Sequence, residues 1–260
     1  MPEYQFLKLT IEERIATLTV INPPANLLSR AVLTEINGVL DELVKNAQVK
    51  VLVITGGGTF FIVGADIKEI SELKAAAEGT QAATLGQMVF NKLESLPFPV
   101  IAAINGHCLG GGNELAMACT LRVASDRARF GQPEINLGIM PGFGGTQRLA
   151  RLVGQSKALE LNLTGDMLNA QSAYEIGLVN KVVPEADVMK QALGLAKKIA
   201  EKSTLPVERI LRATREGLKV SLEEGLKLEA KLFGQLCETQ DMREGLTAFL
   251  EKRRPKFQDK

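Results

Sequence analysis

The sequence G-G-G-N-E-L at residues 110–115 is followed by F-G-Q-P-E at 130–134 and by P-G-F-G-G-T-Q-R at 141–148. These segments place two glutamates, Glu114 and Glu134, within glycine-rich backbone. Glycine lets the backbone approach a ligand closely, and the exposed N–H groups of such loops bind anions. The segments therefore predict a site in which main-chain donors hold an oxyanion while carboxyl groups transfer protons.

The first of these segments is predicted to connect a strand to a helix. The apolar run at residues 99–104 is typical of a strand, and the helix is expected to begin near Gly111 or Gly112. The first N–H groups of a helix have no acceptor within it and lie at the positive end of its dipole. The sequence G-A-D-I-K-E at 64–69 predicts a second turn of this kind, with an unpaired Ala65 N–H.

The glycines fit neither common nucleotide-binding motif. Residues 106–113 lack the G-K-[ST] of a Walker A loop, and Gln147 occupies the third glycine position of G-x-G-x-x-G. His107 is the only histidine, which excludes metal sites that need two imidazoles. It adjoins Cys108 in an extended segment, so the two side chains are expected to point apart rather than to form a nucleophile pair. We predict no metal site.

Outward from these segments, strand-like and helix-like runs alternate, which predicts an α/β fold of repeated β-β-α units. After about residue 185 the periodicity predicts helices only. Strands are expected at 14–21, 51–54, 99–104 and 121–124, and helices at 29–46, 67–93 (around a small, polar, mobile stretch at 75–84), 188–202, 207–218, 221–236 and 240–252.

This change of pattern divides the chain in two. We predict an α/β core with the active site over residues 1–185 and a helical oligomerisation region over 186–260. The apolar positions of the second region exceed what one helical hairpin buries, so we expect it to pack on other subunits. Packing of these helices on their own core remains open.

Composition describes an ordinary globular chain. Its 260 residues, 45% of them hydrophobic, suffice for one sizeable core. Lys plus Arg number 31 and Asp plus Glu 30, so the net charge of +1 favours neither nucleic acid nor an anionic membrane. The first residues lack a signal-peptide pattern, and no apolar run reaches the roughly 18 residues of a spanning helix. Three cysteines without a C-x-x-C pair suit a reducing compartment, so we expect a cytoplasmic protein without disulfides.

Further segments accompany the three quoted above and extend the pattern over nearly the whole chain: N-P-P-A-N at 22–26, G-A-D-I-K-E at 64–69, P-V-I-A-A-I-N-G at 99–106, A-Y-E-I-G-L-V-N at 173–180 and R-R-P-K-F at 253–257. In this order they resemble the enoyl-CoA hydratase (crotonase) family. The resemblance implies a crotonase-like spiral of β-β-α units with a C-terminal helical trimerisation region, assembled as a trimer or a dimer of trimers. It also implies an acyl-CoA substrate, of which coenzyme A is a part, and no separate cofactor.

Carried over by position, the resemblance implies that the N–H groups of Ala65 and Gly111 hold the thioester oxygen, while Glu114 and Glu134 flank one water. It places Lys68 near the CoA phosphates or adenine, and Lys256 and Phe257 in a tail that completes a neighbouring subunit's pocket. The remaining substrate contacts that it implies are Gly64, Asp66, Ile67, Gly110, Pro133 and Gly142.

A physical argument assigns the proton roles. Glu114 belongs to the first turn of its predicted helix, where the dipole favours its charge, so it is expected to activate the water. Glu134 lies in a Pro-led loop between apolar residues, where desolvation and a facing carboxylate would raise its pKa, so it is expected to act as the acid. Coupled groups share their titration, so this assignment remains open.

The main hypothesis is therefore a reversible hydratase that converts a 2-enoyl-CoA into a 3-hydroxyacyl-CoA. Isomerases of the family that this sequence resembles generally keep only the carboxyl group at the Glu134 position. Here both position 114 and position 134 are Glu. An enoyl-CoA isomerase and a hydratase of cyclic dienoyl-CoA esters remain alternatives within the fold. Phe143 and the bulky F-I-V at 61–63 depart from the small residues common there, which leaves the length of the acyl chain open. A noncatalytic, RNA-associated relative and a purely structural oligomer are alternatives of another class.

Overall fold

Two sheets organise the chain, whose structure, a computed structural model, describes residues 4–260. A six-stranded sheet has the order β1-β2-β3-β5-β7-β10, and a four-stranded sheet has the order β4-β6-β8-β9. The strands are β1 (Leu7–Glu12), β2 (Ile15–Val20), β3 (Val51–Gly56), β4 (Ile62–Val63), β5 (Val100–Ile104), β6 (Cys108–Leu109), β7 (Leu121–Ser125), β8 (Arg129–Gly131), β9 (Leu168–Asn169) and β10 (Lys181–Val183).

Helices follow or cover these strands. Five residues, Pro133–Leu137, form a 3-10 helix, and Glu185–Asp187 form another. The α-helices are α1 (Arg30–Lys45), α2 (Ile67–Ser71), α3 (Ala76–Glu94), α4 (Gly111–Ala118), α5 (Gly145–Val153), α6 (Gln155–Thr164), α7 (Ala170–Glu175), α8 (Val188–Ala200), α9 (Thr204–Gly217), α10 (Leu222–Leu236) and α11 (Gln240–Leu250).

The predicted β-β-α repeat is present three times. In the pairs β3–β4, β5–β6 and β7–β8, the first strand belongs to the large sheet and the second to the small sheet, and a helix follows. Strands β4, β6 and β8 pair in parallel through Ile62, Cys108 and Phe130. Because neighbouring parallel strands end at the same edge, the turns after these three strands meet there. This edge brings together the turns that begin at Gly64, Gly110 and Gln132.

Both faces of the large sheet are buried, which explains the continuous apolar run of β3. Leu52 and Ile54 belong to the larger core cluster, whereas Val51 and Val53 belong to a second cluster that includes residues of α8. A strand that is covered on both faces has no need for alternating polarity. The predicted boundary between the α/β core and the helical region, at residues 185 and 186, remains a prediction. Helix α8, which follows that boundary, packs on the large sheet.

Most predicted elements are confirmed within a few residues. Ser29 caps α1 by accepting a hydrogen bond from the Val32 amide, and Ser221 and Glu224 form the predicted capping box of α10. The expected mobile stretch at residues 75–84 is wrong, because α3 begins at Ala76. This segment is rich in alanine, a strong helix former, and the Glu78 carboxylate accepts from backbone amides at the helix start.

Three C-terminal helices expose large apolar side chains. Leu218 is 84% exposed, Leu222 80% and Phe249 81%, and all three belong to or follow α9, α10 and α11. Isolated apolar residues are ordinary on a protein surface, so the predicted packing of these helices on other subunits stays a prediction. Among the described residues, no helix has both the length and the apolar character that a membrane crossing requires.

Candidate active site

A cavity of about 590 Å³ opens at the edge where β4, β6 and β8 end. Its lining includes the four residues predicted to act on the substrate: Ala65, Gly111, Glu114 and Glu134. The fold therefore brings together groups that are up to 69 positions apart in the chain, from Ala65 to Glu134. Six predicted contact residues also line it: Gly64, Asp66, Ile67, Gly110, Pro133 and Gly142.

The direction of the Ala65 amide is set by a parallel β-bridge with Leu28. The Leu28 amide donates to the Gly64 carbonyl at 2.9 Å, and the Asp66 amide donates to the Leu28 carbonyl at 3.2 Å. These two bonds flank Ala65, whose own N–H faces away from Leu28 and has no acceptor among the residues described. Asp66 then caps α2 by accepting from the Lys68 amide at 2.9 Å.

Gly111 supplies a second amide beside the first. It is the first residue of α4, so its N–H has no acceptor within the helix. A Cβ on Gly111 would lie 3.3 Å from the Ala65 nitrogen, which means that the two backbones approach closely. Gly110 enables the approach with a φ of +50°, which glycine adopts readily. Two adjacent N–H groups without an acceptor can donate together to one negatively charged oxygen.

Glu114 is deeply buried and held by main-chain donors. It is 1% exposed in the first turn of α4, and its Oε1 accepts from the amides of Phe143 at 2.8 Å and Gly145 at 2.6 Å. Burial and then the charge of Glu134 raise the pKa of Glu114 to about 8, while the two amides and Arg148 act in the opposite direction. The sequence predicts that the helix dipole keeps Glu114 charged, but desolvation is the larger effect because the whole of α4 is buried.

Glu134 has a freer carboxyl group. It is the second residue of the 3-10 helix, and burial raises its pKa. Its Oε2 is buried without a hydrogen-bond partner in the described part of the chain. A Cβ on Gly110 would lie 3.0 Å from its Oε1, so Glu134 lies against the turn that begins α4. Two carboxyl groups that share one cavity do not ionise independently, since the charge of Glu134 raises the pKa of Glu114.

Three further residues hold or surround this site, although none of them was among the predicted site residues. Gln132 is fully buried, and its amide nitrogen, in the orientation that satisfies both polar atoms, lies 3.1 Å from the carbonyls of Gly110 and Gly131. The Phe143 ring packs edge-on against Phe90 with centroids 5.8 Å apart. Arg148 donates to the Phe143 carbonyl at 3.0 Å. Their positions within the quoted motifs were the only available signal, because their roles depend on contacts across the fold.

Three predicted contact residues lie outside this cavity. Lys68 is exposed on α2. Lys256 is also exposed, and its amide donates to Glu244 at 2.7 Å, while the Phe257 ring packs near Gly245. Their contacts with substrate, and the role of the tail in a neighbouring subunit, remain predictions.

No three His, Cys, Asp or Glu side chains lie close enough to hold a metal ion within residues 4–260. Cys108 and Cys119 are buried, free thiols whose pKa values are raised by burial. Nothing in the chemistry assigned to the cavity uses them.

Comparison with known proteins agrees with the geometry. Residues 10–260 match the enoyl-CoA hydratase/isomerase family. The chain belongs to this family. It is 46% identical over 252 residues to a probable enoyl-CoA hydratase of Bacillus subtilis, covering 96% of this chain and 98% of that one. It is 44% identical over 256 residues to a crotonyl-CoA hydratase of Syntrophomonas wolfei, covering 98% of both.

Solved structures in the family have the same fold. The crystal structure of an enoyl-CoA hydratase from Bacillus anthracis superposes with a TM-score of 0.95 at 37% identity, covering 98% of this chain and all of that one. A structure from Geobacillus kaustophilus gives a TM-score of 0.94 at 38% identity over the full length of both chains. The predicted crotonase-like α/β fold is confirmed.

Proposed function

We propose that the protein is an enoyl-CoA hydratase, which adds water reversibly to a 2-enoyl-CoA thioester to give a 3-hydroxyacyl-CoA. The observation that carries the proposal is the meeting of two carboxyl groups and two unpaired main-chain amides in one cavity. Relatives named crotonyl-CoA hydratase and short-chain-enoyl-CoA hydratase, 44% and 43% identical, support it.

The amides act on the charge that develops during the reaction. When water attacks the β-carbon, negative charge moves to the thioester carbonyl oxygen. The N–H groups of Ala65 and Gly111 donate to that oxygen, and they require no reorganisation because the backbone already fixes them. Loss of one such donor typically costs about 3 to 4 kcal/mol of transition-state stabilisation.

The two glutamates carry the protons. Glu114 accepts two amide hydrogen bonds, which stabilise its carboxylate form, although burial raises its pKa to about 8. We assign the removal of a proton from the attacking water to this carboxylate form, whose fraction increases as the pH rises towards 8. Glu134 has an unpartnered, buried oxygen and a raised pKa, which suit a protonated acid that delivers its proton to the α-carbon. In the reverse direction the roles exchange, and each transfer contributes roughly a hundred- to ten-thousandfold in rate.

An isomerase is the nearest alternative. Moving a double bond requires one group that removes a proton and returns it, so a second buried carboxyl group beside the first would be redundant. Glu114 is therefore the residue that favours hydration.

The relative named 2,3-dehydroadipyl-CoA hydratase, 43% identical, indicates that acyl groups with polar ends also occur among related substrates.

The assembly belongs to the same proposal. The exposed apolar residues of α9 to α11 would be covered in a trimer or a dimer of trimers, with Lys256 and Phe257 near a neighbouring CoA. Sedimentation or light scattering measures the mass directly.

Cytoplasmic location is proposed from the three free cysteines, and cell fractionation tests it.

A substrate panel tests the reaction. Crotonyl-CoA, a nonconjugated 3-enoyl-CoA and a cyclic dienoyl-CoA are each mixed with the purified protein, and the products are separated by chromatography. A 3-hydroxyacyl product from the first supports the proposal. Double-bond migration alone would establish an isomerase, and RNA binding without any turnover would establish a noncatalytic member. A rise in melting temperature with acyl-CoA separates a ligand-binding protein from a purely structural oligomer.

A further inference from the structure

The Arg148 side chain connects two helices to the turn that holds Glu114. It is only 11% exposed and lies in the second turn of α5. Its Nε and Nη2 donate to Glu94 Oε2 at 3.1 and 3.0 Å, and Nη2 also donates to Asn91 Oδ1 at 2.6 Å. Its Nη1 donates to the Phe143 carbonyl at 3.0 Å. The guanidinium is thus fixed by α3 on one side and fixes the turn on the other.

Gly144 makes room for this arrangement. It has a φ of +115°, and a Cβ at this position would collide with Arg148 Nη1. The space that a side chain would fill is therefore occupied by the guanidinium. A glycine and an arginine four residues apart are fitted to one another, which a solubilising surface arginine would not require.

The turn transmits the position of Arg148 to Glu114. Phe143 accepts from Arg148 through its carbonyl and donates to Glu114 Oε1 through its amide. Gly145, on the other side of Gly144, donates to the same oxygen. The Phe143 carbonyl belongs to the 143–144 peptide plane, which lies between the two planes that carry the N–H groups of Phe143 and Gly145. Because each of these planes adjoins the central one, a fixed central plane limits how far the two donors can turn.

We propose that Arg148 is a positioning residue for hydration, which fixes the Phe143 carbonyl and thereby keeps the amides of Phe143 and Gly145 directed at Glu114. The inference rests on the proposed function, because it concerns the carboxyl group that activates water. Arg148 does not line the cavity and is not a catalytic residue.

The proposal has a consequence for the pH dependence of turnover. The charged groups that act on Glu114 are Glu134 from the 3-10 helix and Arg148 from α5, and Glu94 of α3 lies behind the arginine. Without Arg148, the carboxylate loses a nearby cation and its amide donors are less well aligned. Both changes raise the pKa of Glu114, so the acid limb of kcat, which belongs to the carboxyl pair, moves to higher pH.

The test measures kcat and KM for crotonyl-CoA across pH in full-length Arg148→Gln, with melting temperature as the folding check. We expect kcat to fall about ten- to a hundredfold with a much smaller change in KM, and the acid limb to rise by roughly half to one pH unit. Arg148→Lys should restore the acid limb more than kcat, since it keeps the charge but loses the fork of donors. Arg151→Gln, an exposed arginine on the same helix, is the matched control.

A second variant tests the proposal even if Arg148→Gln does not fold. Asn91→Ala loosens the guanidinium from an exposed position without changing any charge, and it should lower kcat in the same direction by a smaller factor. An acid limb that stays at the wild-type pH in folded Arg148→Gln, or a fall in kcat matched by Arg151→Gln, overturns the proposal. Absence of hydration by the wild-type protein would instead reject the proposed function.

Discussion

The two carboxyl groups of the cavity belong to elements that differ in burial and in the hydrogen bonds that they offer. Glu114 belongs to a helix whose eight residues are all buried, and two amides hold one of its oxygens. Glu134 belongs to a five-residue 3-10 helix without a buried residue, and one of its oxygens has no partner among those described. Burial raises both pKa values, but it acts on a held group in one case and a free group in the other. The fold thereby distinguishes a fixed carboxyl group, which is the proposed base, from an adaptable one, which is the proposed acid.

The largest effect is expected from Glu134→Gln, which removes the exchangeable proton and keeps the shape. We expect kcat for crotonyl-CoA hydration to fall roughly a hundred- to ten-thousandfold, since a general acid is lost. Binding of a CoA ester, measured by calorimetry, should change little. Glu185→Gln, at the start of the other 3-10 helix and on the surface, is the control and should retain turnover. Full activity in Glu134→Gln would remove Glu134 from the mechanism.

Gly145→Ala disturbs the turn whose amides hold Glu114. A Cβ there would overlap the Gln132 amide and lie 3.0 Å from Glu114 Oε1, so the turn must shift. A displacement near 1 Å of a catalytic group lowers kcat by about a hundredfold. Gly194→Ala in α8, where a Cβ meets nothing within 4 Å, is the control. If folded Gly145→Ala has wild-type kcat, the contrast between a held and a free carboxyl group is wrong.

Sequence reasoning was strongest where chemistry and local structure coincide. The glycine segments predicted the turn at Gly110 and the helix start at Gly111, because few residues other than glycine adopt such backbone. The alternation of strands and helices likewise predicted the β-β-α units, since the spacing of apolar residues within one segment distinguishes a strand from a helix. These features depend on neighbours within a few positions.

What the sequence could not supply depends on distant contacts. The partners of Glu114 at positions 143 and 145 follow only from the packing of α5 beside α4. The pKa of Glu114 was expected to be governed by the helix dipole, but complete burial of α4 is visible only in the folded chain. A helix was predicted over residues 67–93, but its continuity through 76–84 was not, because polar residues there concealed a strong alanine-based propensity.

Glu114→Gln should stabilise the protein while it removes the base. The folded pKa of about 8 lies above the unfolded value of about 4.5, so between these pH values the folded state binds the extra proton. Stability of the wild type therefore decreases as pH rises through this window. We expect the variant to be more stable by on the order of 4 kcal/mol at pH 8, with the difference vanishing towards pH 4. Denaturant titrations at both pH values measure it, and an unchanged difference between them would contradict the assigned pKa.

The smallest effect concerns the wall that Phe143 adds to the cavity while its amide holds Glu114. Gly86 of α3 leaves space for the Phe143 ring, and a Cβ at Gly86 would overlap that ring and displace it. We expect Gly86→Ala to reduce kcat/KM for 2-hexenoyl-CoA about tenfold more than for crotonyl-CoA, since one or two methylenes in an apolar pocket discriminate by such factors. Gly38→Ala in α1, where a Cβ meets nothing within 4 Å, is the control. An equal loss for both substrates would mean that the displaced ring acts through the Glu114 amide instead, and that the held carboxyl group and the acyl wall cannot be varied separately.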